Sequence, residues 1–297
     1  MSNATVHAIP PLPLAAPAKA WSTRLRYWVP LILSALVLAS FILMALFAEH
    51  IAPYPPDGED VANRLASFSA EHLLGTDHLG RDVLSRLIYG ARASLGSVAL
   101  IAAFIVVTGF VTGAVSGCLG GWADAVIMRV CELFMTFQTF ILALFLIAIL
   151  GRGMTNVIIA IVLTHWAWYS RIVRGMVLSL KNREYVLAAR VSGGGRLSVF
   201  LRHIAVPVLS QIIILATLDL GHMMLHVSGL SFLGLGIQPP TPEWGVMIND
   251  ARNHIWTNPE LVILPGLMIF LTVLACNIPG DYLRDKLDPA LAAKEGH

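Results

Sequence analysis

The sequence predicts an all-α integral membrane protein with six transmembrane helices, and three observations carry that prediction. Hydrophobic residues make up 57% of the 297 and charged residues only 13%, with a mean hydropathy of +0.74, a balance foreign to water-soluble domains of this size. Six apolar runs are each long enough to cross a bilayer core as a helix, which takes about 20 residues at about 1.5 Å per residue. Lysine and arginine gather in alternate connections between those runs, the asymmetry that orients membrane helices. A net charge of +2 leaves no footprint for nucleic acid. Cys118, Cys131 and Cys276 lie in or beside apolar runs without CxxC spacing, so they read as small buried hydrophobes and not as a disulfide framework.

Residues 1–27 begin MSNATVHAIPPLPLAAPAKA, a Pro/Ala-rich segment expected to be a disordered tail. The first span, about 28–48, is too long for the apolar core of a signal peptide, and EHIAPYPPDGED after it lacks a small-residue cleavage site. In the following connection, 49–94, Leu79, Val83, Leu84, Leu87 and Ile88 recur at helical spacing. They predict an amphipathic helix on the outer surface with Arg81, Arg86 and Arg92 at the headgroups. Spans two to four cover about 95–119, 131–150 and 157–177. The connection 176–207, MVLSLKNREYVLAARVSGGGRLSVFLRHIAVP, is basic, helical at both ends and far too long for a tight turn, so it reads as a docking element. Spans five and six, about 208–234 and 261–280, flank GIQPPTPEWGVMINDARNHIWTNPE, where Trp244 and Trp256 read as interfacial anchors. A short tail, 285–297, ends the chain. With the N-terminus inside, most of the 20 lysines and arginines fall on the inner side, which predicts that both termini and the 176–207 connection are cytoplasmic.

The fifth span contains TLDLGHMMLH, with Asp219, His222, Met223 and His226 at i, i+3, i+4 and i+7. That spacing places them on one helical face over two turns. Ionisable groups inside a bilayer cost about 2.5–3.5 kcal/mol each on insertion scales, so they face a cavity, a partner or a transported species. The alternative is interhelical hydrogen bonding that fixes the bundle, and for Met223 and Met224 simple filling of irregular packing. His165, in LTHWAWYS of the fourth span, is a second candidate for the same pathway or a packed histidine among aromatics. His72, His78 and His254 lie in the outer connections without ligand spacing and read as solvated or interfacial. A membrane metalloprotease is excluded because HMMLH lacks the glutamate of HExxH that activates water, and no internal repeat with broken spans marks a secondary transporter.

Four segments, GTDHLGRDVLSRLIYGARASL, EYVLAARVSGGG, SFLGLGIQPPTPEWGVMINDAR and GDYLRDKLDPAL, resemble in order the signatures of the second permease subunit of peptide and nickel ABC importers. HWAWYSRIVRGMV, ATLDLGHMMLHVSGLSFLGLG and EWGVMINDARNHIWT are similar to the nickel-transporting members of that family. Peptide permeases have a more apolar stretch before SFLGLG and lack the paired histidines. The resemblance implies that 28–284 is a six-span permease domain of the binding-protein-dependent, type I kind, in the bacterial inner membrane. It implies a heterodimer with a second homologous permease, two ATP-binding subunits beneath it and an extracytoplasmic nickel-binding protein that delivers substrate. It also implies alternating access, with no cofactor bound by this chain.

The chain has no GxxxxGK[ST] loop, so ATP is expected to be used by partner subunits and this chain is not expected to be an enzyme. The resemblance also implies that 176–207 is the loop that couples to the ATPases, with Glu184, Ala188, Ala189 and Gly193 matching the docking motif and glycine permitting the reversal. Leu187 departs from it, standing where many relatives carry a glutamate. For a nickel importer the donor types of the fifth span fit: imidazole suits nickel(II), carboxylate is acceptable and thioether is tolerable. Weak, incomplete coordination is what a pathway needs, since an ion in a closed shell does not leave. The metal crosses either bare or chelated, and a dipeptide or oligopeptide permease of the same family is the rival reading.

Overall fold

The computed structural model describes residues 20–287. Most of the tail expected over 1–27, and the last ten residues of the one expected over 285–297, lie outside them. The helices are α1 (Ala20–Leu46), α2 (Ala48–Ile51), α3 (Val83–Leu119), α4 (Gly121–Thr136), α5 (Thr139–Leu150), α6 (Met154–Leu180), α7 (Glu184–Val191), α8 (Arg196–Val199), α9 (Val206–Phe232), α10 (Trp244–Ala251) and α11 (Glu260–Leu287). A π turn, Phe200–Ala205, joins α8 to α9. Among the described residues the only extended pairing is an isolated bridge between Thr76 and Asp82. Five helical stretches are long and apolar enough to cross a membrane: Trp28–Leu46, Val83–Leu119, Met154–Leu180, Arg196–Phe232 and Glu260–Gly280. A sixth exists if α4 and α5 count as one span.

That sixth case departs from the expected straight helix over 131–150. The run breaks at Phe137 and Gln138, both in extended backbone, and α4 meets α5 at 93°. No glycine or proline marks the break, so hydropathy alone reads straight through it.

The centre of the bundle is the pairing of α3 with α6. Gly109, Gly113 and Gly117 recur every fourth residue, which stacks them along one stripe of α3. A β-carbon at Gly109 would stand 2.5 Å from Tyr169 Cβ, one at Gly113 2.6 Å from Val173 Cβ, and one at Gly117 2.8 Å from Val177 Cβ. The two backbones therefore approach as small-residue stripes allow in membranes, where tight van der Waals packing drives association. Tyr169, Val173 and Val177 are fully buried against that stripe. At the same end, Asp124 of α4 accepts from Arg174 Nε (2.5 Å) and Nη2 (2.6 Å) and from Ser116 Oγ (2.5 Å), tying α3, α4 and α6 together.

The connection 49–94 differs from expectation in an instructive way. Val83 to Ile88 do not form a separate surface helix; they are the first turns of α3, which runs 37 residues without a break. Asp82 caps it, its carboxylate accepting from Ser85 N (2.8 Å) and Oγ (2.7 Å) while His72 Nδ1 donates to the other oxygen at 2.9 Å. Arg81 and Arg86 are not at headgroups. Their side chains are 1% and 2% exposed, Arg81 Nε donating to Asp77 Oδ2 at 2.7 Å and Arg86 Nη1 to the carbonyls of Pro56 and Pro240 at 3.1 Å each. Only Arg92 is exposed, and it grips the end of α1 and Glu49. Buried charges are tolerated only when paired and hydrogen-bonded, and sequence spacing does not reveal that Asp250 and the carbonyls of Pro56 and Pro240 fold back onto these arginines.

Trp244 also corrects its expectation. It is wholly buried, its indole N–H donating to Leu87 O at 3.0 Å, its ring edge-on to Phe41 at 5.8 Å and against the bare face of Gly90. Trp256 is 93% exposed. Glu243, before Trp244, is buried too; it caps α10 through Val246 N (3.0 Å) and accepts from Ser94 Oγ (3.0 Å). Cys131 and Cys276 are buried as expected, whereas Cys118 is exposed.

Two predictions follow from the packing. Gly113→Val forces α3 off α6 and is expected to destabilise by about 1–3 kcal/mol or more, seen as loss of folded protein in a detergent thermal melt. Gly96→Ala, where a β-carbon meets nothing within 4 Å, is expected to be neutral or stabilising. Burial holds the Glu243 carboxyl above its ordinary value of 4.5. A raised folded-state value contributes stability that is full below about 4.5 and is lost as pH climbs through the raised value. Melting of the wild type should therefore fall over that window relative to Glu243→Gln, whose own profile lacks this component.

Candidate functional site

Asp219 sits in the middle of α9 and faces α6. His165 Nε2 lies 2.8 Å from Asp219 Oδ2, the imidazole N–H donating to the carboxylate, and Tyr169 one turn along α6 donates its hydroxyl to the same oxygen at 3.2 Å. The other oxygen, Oδ1, has His222 Nδ1 at 3.6 Å, close enough for charge interaction and too far for a hydrogen bond. A carboxylate with two donors on one oxygen and an imidazole near the other is anchored without being used up.

The four expected residues of α9 do not all share one environment. At 3.6 residues per turn each residue advances about 100°. From Asp219 this puts His226 about 20° away, His222 about 60° to one side and Met223 about 40° to the other. His222 accordingly projects outward, its side chain 72% exposed, while Met223 turns into the core at 1% exposure beside Met224. His226 is half-buried, its ring 6.1 Å from that of Phe140 on α5. The structure thus brings His165, Asp219 and His222 together, adds Tyr169, leaves His226 one turn on and sets Met223 apart. Tyr169 was missed in the sequence; its signal was its place at i+4 from His165. Among the described residues no three His, Cys, Asp or Glu side chains converge in an arrangement able to hold a metal ion.

The connection 176–207 folds as α7, a reversal and α8. Glu184 opens α7 and is exposed, as is Ala188, while Ala189 is half-buried against the core. Gly193 takes φ +87°, and Gly194 N donates to Ala189 O at 3.1 Å. That left-handed position is what glycine is needed for. Val186 and Val199 anchor the two arms in the interior. Outside the bundle, His78 and His254 are not isolated from each other: their rings stack at 5.8 Å.

A bundle of long apolar helices with an ionisable cluster between two of them and a structured reversal at one end defines a polytopic membrane protein. The chain belongs to the family described as the binding-protein-dependent transport system inner membrane component, whose model matches residues 109–293. It is 51% identical over 277 residues to the nickel transport system permease protein NikC of Escherichia coli (strain K12), covering 93% of this chain and 97% of that protein. It is 38% identical over 259 residues to the metal-staphylopine import system permease protein CntC of Staphylococcus aureus (strain Mu50), with 87% and 90% covered. It is 39% identical over 272 residues to the glutathione transport system permease protein GsiD of Pectobacterium atrosepticum, with 91% and 90% covered.

The contact between His165 and Asp219 is expected to couple energetically. In a double-mutant cycle with His165→Phe and Asp219→Asn, read by thermal melting in detergent, the interaction energy should be on the order of 1–3 kcal/mol; additive losses would show that the two side chains act separately.

Proposed function

We propose that this chain is one permease half of an ATP-driven importer that carries nickel, free or chelated, across the bacterial inner membrane. The observation that carries this reading is the 51% identity to a nickel permease over nearly the whole length of both chains. The Asp219, His165 and His222 cluster supports it, since carboxylate and imidazole are suitable donors for nickel(II). His226 extends the donor line along α9, and Met223 is assigned to packing. An open set of donors, completed in passing by the cargo's own ligands or by the other permease, suits transit better than a closed shell. The similarity to a metal-staphylopine permease favours chelated metal as an admissible cargo.

In this reading the N- and C-termini and α7–α8 face the cytoplasm. The chain pairs with a second homologous permease, two ATP-binding subunits dock on α7–α8 through the surface around Glu184, Ala188, Ala189 and Gly193, and an extracytoplasmic nickel-binding protein delivers substrate to the outer connections. This chain binds no cofactor and performs no bond chemistry; ATP is hydrolysed by the partners. Closure of the ATPases displaces α7–α8, the bundle rocks, and the pathway opens alternately to each side. A peptide permease is the second reading, favoured by the 39% identity to a glutathione permease.

The test is uptake of radioactive nickel by energised cells carrying the full set of partners, with dipeptide uptake as control. Wild type should import nickel, and His222→Ala/His226→Ala, shown to be assembled in the membrane, should lose at least about tenfold. Uptake of dipeptide without nickel would sink the nickel reading. Normal nickel uptake by the double variant would remove these histidines from the pathway.

A further inference from the structure

A basic groove opens where α3 ends, α6 passes into α7, and α8 leads into the π turn. Its cavity of about 810 Å³ lies within the size range of small-molecule sites. Three cations line it, Lys181, Arg190 and Arg196, together with apolar Leu119, Leu197 and Phe200, and among the described residues no acidic side chain is in its walls. Leu119 and Leu197 are each about 70% exposed. Among the described residues, Lys181 Nζ uses one donor on Gly117 O at 3.1 Å and keeps the others, while the side chains of Arg190 and Arg196 make no hydrogen bond or ion pair. The groove therefore offers unused N–H donors and positive charge beside bare aliphatic surface, at the end of a membrane-spanning helix.

Water or a soluble anion satisfies only the charged half of that surface, and an acyl chain alone satisfies only the aliphatic half. A phosphodiester headgroup with its acyl chains matches both. We propose that this groove binds an anionic phospholipid of the leaflet in which α7–α8 lies, its phosphate held by Lys181, Arg190 and Arg196 and one chain lying along Leu119, Leu197 and Phe200. Juxtamembrane Lys and Arg gain roughly fivefold each from anionic headgroups, so three on one headgroup give a marked preference over a zwitterionic lipid. The bound lipid bridges the α7–α8 reversal to the ends of α3 and α6, making coupling sensitive to the charge of the membrane. The inference holds for whichever solute the importer carries, and none of its readouts is uptake.

The experiment uses the complete importer, with its permease and ATP-binding partners, purified in mild detergent. Native mass spectrometry counts the lipids bound on titration with phosphatidylglycerol or phosphatidylcholine. Wild type should retain at least one more phosphatidylglycerol than Lys181→Gln/Arg190→Gln/Arg196→Gln, with apparent affinity on the order of tenfold or more apart. Arg129→Gln, an exposed arginine outside the groove, should match wild type. Cys118 lines the same groove and is exposed, so phosphatidylglycerol should slow its alkylation by maleimide in wild type and not in the triple variant. If that variant fails to assemble, Arg190→Gln and Arg196→Gln singly give the same comparison. Equal lipid counts in wild type and variants overturn the proposal. So does a Cys118 shielded in the complex whatever lipid is added, which would place a partner subunit in the groove.

Discussion

The close approach of α3 and α6 is the constraint on which the other arrangements rest. Where the two helices meet they present small and largely apolar residues, and lipid tails compete with any apolar surface, so the pair is held by shape. Three glycines on one stripe let Tyr169, Val173 and Val177 sit against α3 backbone. That depth of contact sets the rotation of α6, and the rotation of α6 aims His165 and Tyr169 at α9. The polar cluster around Asp219 thus continues the same row of α6, His165 and Tyr169 preceding Val173 and Val177 at four-residue spacing, with Tyr169 serving both contacts.

The connections 49–94 and 235–260 complete the frame by a different kind of force. Arg81, Arg86, Asp77 and Asp250 are drawn into a buried ionic group, and Glu243 and Trp244 lock α10 onto the first turns of α3. Removing one member of such a group leaves an uncompensated charge. These segments are therefore part of the folded body and not loose loops laid over it.

Hydropathy made the long helices legible, because an apolar run of bilayer length has few other fates. It also hid three things. The start of α3 at Val83 reads as a separate surface helix, because the nearby arginines look like headgroup ligands and the groups that bury them include Asp250 and Pro240, far along the chain. The bend between α4 and α5 carries no breaker residue. The GFVTGAVSG stripe was readable as small residues every fourth position, but apolar runs are scanned for length before spacing. For the cluster, the i, i+3, i+7 pattern on α9 located Asp219, His222 and His226. The hydrogen bonds from His165 and Tyr169 depend on which face of α6 meets α9, and that is a tertiary fact.

The π turn Phe200–Ala205 has a geometric corollary for the polar line of α9. Its wider i→i+5 rings hold one residue more than an α turn would, just where α7–α8 hands over to the span. Were that surplus residue to pass out of the turn, everything beyond it would rotate by one helical position, about 100°. One helical position is also what separates His222, facing out, from Met223, facing in. The helix is thus wound like a combination dial set one notch from an alternative, in which a thioether would stand where the imidazole now does.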